Sequence, residues 1–315
     1  MGLLHRRHLR LKTLHALYAH FQNDYGPSTG VKNLNSGIDK VYELYISLLG
    51  LVSDLREIAL ERAQNYRAEN KGLKSTLLPE ELFAENKILL SLSQSDELEA
   101  KCKAYKINWI KNDPDIVDKI FRTFARGEEY KAYIQLTQPS FAEDRKLIHK
   151  IFRKYIVNNE ALQKWLEEKS IYWVDDLDLV AVNVLKTIDS IEEGSNVSLL
   201  ALYKDFDEDK AFVQDLFRKT LDHWEENEGM IEQLAKNWDL ERIALMDRII
   251  MCMGLTEILC FSDIPVKVSL NEYIDLAKEY STNKSKNFVN GILDKAIVKL
   301  RDSDKIHKSG RGLLE

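Results

Sequence analysis

The chain has 315 residues, 44% hydrophobic and 30% charged, with only 13 glycines and 5 prolines. That composition excludes disordered and fibrous classes, and it supplies apolar material for one large or two ordinary domains. The formal charge of −6 is unevenly spread: residues 1–23 hold Arg6, Arg7, Arg10 and Lys12 and no acid, residues 295–315 carry +3, and the body between is strongly acidic.

Scarce turn residues argue against β-sandwiches and barrels, which need a turn every ~8–12 residues. The Gly pairs Gly26/Gly30 and Gly310/Gly312 lack the third glycine or Lys-Ser/Thr of a nucleotide-binding loop. In chain order, Leu11, Leu14, Tyr18 and Phe21 form one apolar stripe and predict a helix over about 5–23. Asp24–Asn35 reads as a loop, and a long helix is expected over about 38–69, broken by Lys71–Pro79. Further helices are expected over 96–111, 115–136, 142–157, 160–169, 176–192, 208–235, 240–260, 270–280 and 286–301. All five prolines fall between them. Ser269-Leu-Asn-Glu272 has the form of a capping box, and Ser285 stands where an N-cap for the last helix would. The fold class is all-α.

At an offset of 65 residues, Phe141, Glu143, Asp144, Phe152, Arg153, Lys154, Glu160, Glu167 and Trp173 meet identical partners at Phe206, Glu208, Asp209, Phe217, Arg218, Lys219, Glu225, Glu232 and Trp238. Either a helical hairpin near 141–190 was duplicated, or two amphipathic helices match by composition.

Three cysteines, Cys102, Cys252 and Cys260, form no C-x-x-C pair and read as buried thiols of a cytoplasmic protein. The basic residues threaded through 1–18 do not make a signal peptide. The longest apolar run, Ile243–Phe261, is interrupted by Asp247, Arg248 and Glu257 and reads as a buried helix, with no membrane span. No H-E-x-x-H, G-x-S-x-G or Glu-x-x-His pattern is present, so neither an enzyme nor a metal or other cofactor is expected. His5 and His8 share a helix face without a complementary pair.

The N-terminal cations need another explanation. A helix N-terminus favours acids, yet the sequence there is His5-Arg6-Arg7-His8-Leu9-Arg10-Leu11-Lys12. Bound phosphate would reverse that cost, and guanidinium forks suit phosphate and base edges. The alternative is a solvated basic face or an acidic protein partner. Lys284, Ser285 and Lys286, at the start of the last helix, form a second phosphate perch. Tyr18 and Phe21 are read as core rather than as base-stacking platforms, because they lie in the apolar stripe.

These regions also carry a resemblance. Arg6-Arg7-His8-Leu9-Arg10 leading into Leu14-His15-Ala16-Leu17-Tyr18 resembles the opening helix of the NusB transcription antitermination family. Trp238-Asp-Leu-Glu-Arg242, Asp247-Arg248, Glu257-Ile-Leu259, Asp263-Ile-Pro265-Val266-Lys267-Val268, Asn271-Glu272, Leu276-Ala277-Lys278 and Phe288-Val-Asn-Gly-Ile-Leu-Asp294-Lys295 follow that family's signature in order. The resemblance covers about 5–22 and 206–300. It implies a NusB-like domain at 206–300 completed by the first helix, an expanded helical region within 1–205, and a basic flexible tail at 301–315.

The resemblance also implies a non-enzymatic factor that binds boxA-type single-stranded RNA together with NusE, a ribosomal small-subunit protein. Such a factor acts in the RNA polymerase antitermination complex on ribosomal RNA operons. Carried over by position, the RNA-binding residues are Arg6, Arg7, Arg10 and Lys12, with Lys284, Ser285 and Lys286. His8, Leu9 and His15 depart from the family pattern, and Asn283-Lys284 replaces a common acidic pair, which should strengthen phosphate attraction. About five phosphate contacts give a salt slope of roughly −3.5, a modest affinity that leaves room for a protein partner. Alternatives are a helical protein–protein scaffold, or a relative of the segment that fronts RNA cytosine methyltransferases. The latter expects a Gly-rich turn and catalytic cysteine that these residues lack.

Overall fold

A computed structural model describes residues 2–23, 25–70, 77–173, 175–235 and 242–314, without the side chains of Asn283 and Lys284. The chain divides into two compact units: one is continuous, 39–201, and the other combines 2–38 with 202–314. Almost all regular structure is helical, as the periodicity predicts.

In the continuous unit the long helix α2 (Pro27–Glu69) is followed by α3 (Pro79–Ala84), α4 (Lys87–Ser93), α5 (Asp96–Tyr105), α6 (Trp109–Asn112), α7 (Pro114–Ala125) and α8 (Glu128–Tyr133). Then come α9 (Phe141–Ile151), a π-helical continuation at Phe152–Val157, α10 (Glu160–Lys169) and α11 (Leu177–Ser190). An aromatic cluster of Phe83, Phe121, Phe124 and Tyr130 fills its core, with Phe83 and Phe124 ring centres 5.3 Å apart. Buried Asp144 ties α9 to its neighbours by accepting from the Tyr133 hydroxyl at 2.6 Å and the Lys87 amide at 2.9 Å.

The discontinuous unit holds α1 (Arg6–Gln22), the beginning of α2, α12 (Phe206–Asp222), α13 (Trp224–Leu234), α14 (Leu245–Cys260), α15 (Val266–Tyr280) and α16 (Asn283–Asp302). Helix α14 is its axis: Ile249–Ile258 is wholly buried, and α1, α12, α13, α15 and α16 pack around it. A helix apolar on every side has to be enclosed this way. β1 (Gly2–Leu4) pairs with β2 (Ala201–Tyr203) in a two-stranded ribbon that the turn-poor composition did not predict. Glycine is required in β1, since a Cβ at Gly2 would lie 2.4 Å from the Lys204 amide nitrogen.

Several local expectations are corrected. The loop expected over 24–35 is mostly helix: Pro27 opens α2, where its missing N–H costs nothing, and Val31, Leu34 and Ile38 are buried. Gly30 lets this turn close on Phe217, whose Cζ would be 2.4 Å from a Cβ. Ser269 does not cap. The helix starts at Val266 behind Pro265, and Ser269 is buried in its second turn. The last helix is capped by Thr282, which accepts from the Ser285 amide at 3.2 Å, so Ser285 lies inside it. The helices expected over 96–111, 115–136 and 208–235 break at left-handed Lys106, at Gly127 and at His223.

The two segments related by the 65-residue offset share their burial. Asp144, Leu147, Ile148, Ile151 and Phe152 are buried, as are Asp209, Phe212, Val213, Leu216 and Phe217. Trp238–Glu241 of the family signature lie outside the described residues. Residues 305–314, expected as tail, are held by hydrogen bonds from the Ser309 amide to the Ser262 carbonyl (2.9 Å) and from Lys308 Nζ to the Phe261 carbonyl (2.8 Å).

Candidate nucleic-acid interface

Helix α1 begins at Arg6 with no acid in its first turn, so its exposed amides and its cations add to one positive end. Each arginine there meets carboxylates from a different helix. Arg6 donates to Glu208 of α12 at 2.6 Å, lies 3.6 Å from Asp209, and covers the Phe212 ring at 4.3 Å. Arg7 donates to Asp275 at 3.1 Å and Glu279 at 2.7 Å, both on α15. The Arg6 and Arg7 side chains keep 26% and 44% exposure. The pairs with Glu208, Asp275 and Glu279 are exposed and worth only about 0–1 kcal/mol each, so exchanging one of those carboxylates for a phosphate costs little.

Arg10 is different. Its side chain is 3% exposed and forms a two-pronged bond with the fully buried Glu257 of α14, Nε to Oε2 at 2.8 Å and Nη2 to Oε1 at 2.7 Å. Ser269 Oγ completes Oε1 at 2.7 Å and the Tyr273 hydroxyl completes Oε2 at 2.9 Å. Burial alone would lower the Arg10 pKa; the hydrogen bonds and charge of Glu257 outweigh it and raise it. Burial, reinforced by Glu257, holds the Tyr273 phenol far above its ordinary range. Arg10 therefore joins α1 to α14 and α15 and is not presented to a phosphate, which corrects its expected role. Lys12, also expected to bind RNA, is 6% exposed and lies within the fold.

An open depression of about 730 Å³ adjoins this end of α1. Five cations (Arg6, Arg7, Arg10, Lys204 and Arg311) and five carboxylates line it. Arg311 shares Glu208 with Arg6, at 3.3 Å. The arginines of the depression are thus already paired with carboxylates in the free protein.

The second cluster, Lys284 to Lys286, begins four residues after α15 ends at Tyr280. The α15 C-terminus is next to α1, through Arg7–Glu279 and through Tyr280, whose ring meets His15 edge-on at 5.3 Å. The first turn of α16 contains no acid, and Ser285 and Lys286 are half-buried there; the Lys284 side chain lies outside the described residues. Ser285 Oγ is 2.9 Å from the Thr282 hydroxyl. Of the two aromatics assigned to the core, Phe21 packs on Trp224 at 4.1 Å, whereas Tyr18 is 38% exposed and departs from that reading.

Sequence reasoning missed Glu257 as the partner of Arg10, although both carried a signal. Arg10 stands four and seven residues before Leu14 and Leu17, on their buried face. Glu257 lies inside the longest apolar run, where a carboxylate requires a cation or protonation. Arg311 was missed as well; its basic segment was read as tail.

The architecture is that of an all-α helical bundle that gathers basic side chains at one helix end. The chain belongs to the NusB family. The family model matches residues 180–298. The transcription antitermination protein NusB of Salinibacter ruber is 41% identical over 138 residues, 42% of this chain and 86% of the relative. The same-named protein of Chloroherpeton thalassium is 40% identical over 106 residues, 34% of this chain and 50% of that protein. That of Methylacidiphilum infernorum is 43% identical over 97 residues, 31% of this chain and 66% of that protein. No solved structure matches. The match leaves most of the continuous unit uncovered, so this is a long member with an N-terminal expansion. Among the described residues, no helix is long and apolar enough to cross a membrane and no group of side chains is arranged to hold a metal ion.

Proposed function

We propose that the protein is a transcription antitermination factor that binds boxA-type single-stranded RNA with NusE, within the RNA polymerase complex that transcribes ribosomal RNA operons. The observation that carries this reading is the acid-free first turn of α1, where Arg7 is held only by surface carboxylates and Arg6, though it also meets buried Asp209, keeps solvent exposure beside surface Glu208. Arg6 and Arg7 contact phosphate directly, Lys284, Ser285 and Lys286 extend the track at the start of α16, and Arg10 and Lys12 fix α1 from beneath. Glu208 acts as a gate: RNA has to displace it from Arg6 and Arg311.

The test is titration of a labelled boxA-type RNA at two salt concentrations, with and without NusE, using wild type and Arg6→Ala/Arg7→Ala. Loss of two phosphate contacts lowers the salt slope by about 1.4. A variant that binds RNA as tightly as wild type refutes the assignment. The balanced charges of the depression also suit a polar protein partner. In that case the variant loses NusE binding while its RNA salt slope stays unchanged.

A further inference from the structure

The expansion is acidic as a whole, yet it contains a segment of opposite character. Arg145–Lys154 reads Arg-Lys-Leu-Ile-His-Lys-Ile-Phe-Arg-Lys, five Lys/Arg and no acid in ten residues. On α9 and its π-helical continuation the apolar members Leu147, Ile148, Ile151 and Phe152 are buried, so all the charge is driven to the other side. Arg145, Lys146, His149, Lys150, Arg153 and Lys154 line one open depression of about 410 Å³.

The counter-charges facing it are few and already engaged. Glu129 accepts from Lys154 Nζ at 3.1 Å and from the Tyr155 hydroxyl at 2.9 Å, and Asp189 lies 2.9 Å from His149 Nε2. Glu143 caps Ser140 and reaches Lys146 only through space. Arg145 donates to the Ile191 carbonyl at 2.6 Å, but its Nε is buried without a partner. Lys150 and Arg153 have no side-chain hydrogen bond or ion pair among the described residues, and both are exposed. This differs from the α1 end, where every arginine is neutralised.

We propose that this face of α9 is a second RNA-binding surface, one that holds the sugar-phosphate backbone of a single strand without reading its sequence. It rests on the reading above only in taking RNA as the ligand. Lys146, Lys150 and Lys154 recur every fourth residue, about 6 Å apart along the helix, a spacing that a strand can follow phosphate by phosphate. The surface offers charge and almost nothing else. Ala142 is its one apolar lining residue and His149, half-buried beside Asp189, its one ring, so it lacks the large aromatic or aliphatic anchor of a protein hot spot. A polyanion of regular charge is the ligand that such a surface suits.

The experiment uses the full chain and a labelled 30-nucleotide oligouridylate, which carries no boxA sequence, titrated at 50 and 200 mM salt. Lys146→Gln/Lys150→Gln/Arg153→Gln removes three contacts at exposed positions, lowering the slope by about 2, so wild type should lose about twentyfold more affinity than this variant across that range. Independently of any variant, RNA should slow chemical acetylation of Lys146 and Lys150 in the wild-type protein. Unchanged slope and unprotected lysines overturn the proposal, as does a wild type that does not bind oligouridylate. If the variant instead loses binding to polyglutamate and keeps its oligouridylate slope, the surface is a protein-docking site and the RNA assignment is wrong. Arg6→Ala/Arg7→Ala, run alongside, separates the two readings. Should it bind boxA-type RNA normally while the glutamine variant loses its oligouridylate slope, the α1 assignment falls and this one stands; the reverse pattern has the opposite meaning.

Discussion

Replacing Arg10 by Ala should destabilise the protein severely while affecting RNA contact only through the fold. Arg10 supplies two of the four hydrogen bonds that Glu257 accepts, with both side chains essentially out of solvent. Hydrogen bonds to charged groups are worth about 1.5–3 kcal/mol each, which agrees with the ~3–5 kcal/mol lost when one member of a buried pair is removed. With a urea m-value of about 1–3 kcal/mol per molar, the midpoint should fall by roughly 2 M. Two units in one chain make a single global transition unsafe, so protection of α14 amides against hydrogen exchange is the better measure. Converting the pair to apolar residues, Arg10→Met/Glu257→Leu, should recover much of the loss, because no uncompensated charge is left behind. If Arg10→Ala moves neither the midpoint nor α14 protection but weakens RNA binding, Arg10 is a contact residue and the reasoning from burial fails.

Glu208→Gln, which frees Arg6 and Arg311 from a shared carboxylate, should tighten boxA-type RNA binding about threefold, an effect of charge that shrinks in high salt; an unchanged affinity would remove Glu208 as a gate. Gly30→Ala should cost about 1–3 kcal/mol by driving a methyl into the Phe217 ring, read as a lowered melting temperature. Burial pushes the Asp54 carboxyl up to about 6 against the opposing hydrogen bond from the Trp109 amide at 3.0 Å. Because the folded value is raised, the folded state binds the proton more tightly. Its contribution to stability is present below about pH 4 and lost as pH rises towards 6. Asp54→Asn should therefore stabilise the protein by about 1–3 kcal/mol at pH 7.5 and by almost nothing at pH 4; a gain of equal size at both pH values would point to another cause.

Helix period was legible wherever a stripe was long: α10 occupies the residues expected of it, 160–169, and the apolar run around Cys252 is the buried α14. Starts and stops were harder, because a serine before a glutamate three residues on looks like a cap whether or not a proline has already opened the helix. At Ser269 the preceding Pro265 decides, and the hydroxyl turns inward to Glu257. Pro27 misled in the opposite direction, since proline in a polar stretch reads as loop although it is equally at home in a first helical turn. In the candidate site the arginines were legible as a group. That Arg6 and Arg7 lie outside while Arg10 lies inside depends on carboxylates about 200 to 270 residues away, which no local pattern encodes. The basic face of α9 was hidden by averaging, its cations cancelled by the acids of the surrounding expansion.

The division of the chain also imposes an order of assembly. The unit that contains α1 is interrupted by residues 39–201, so during synthesis the first helix emerges long before α12 and α14, the surfaces it needs. At about 5–20 residues per second, the ribosome takes on the order of 10–30 s to traverse the interruption. Throughout that time Leu9, Leu14, Leu17 and the Arg10 guanidinium have no native cover, whereas the continuous unit is translated without interruption. Helix α1, translated before the interruption, is thus among the last to be installed, and a nascent chain arrested before α14 would have its arginines but no Glu257 to set them in place.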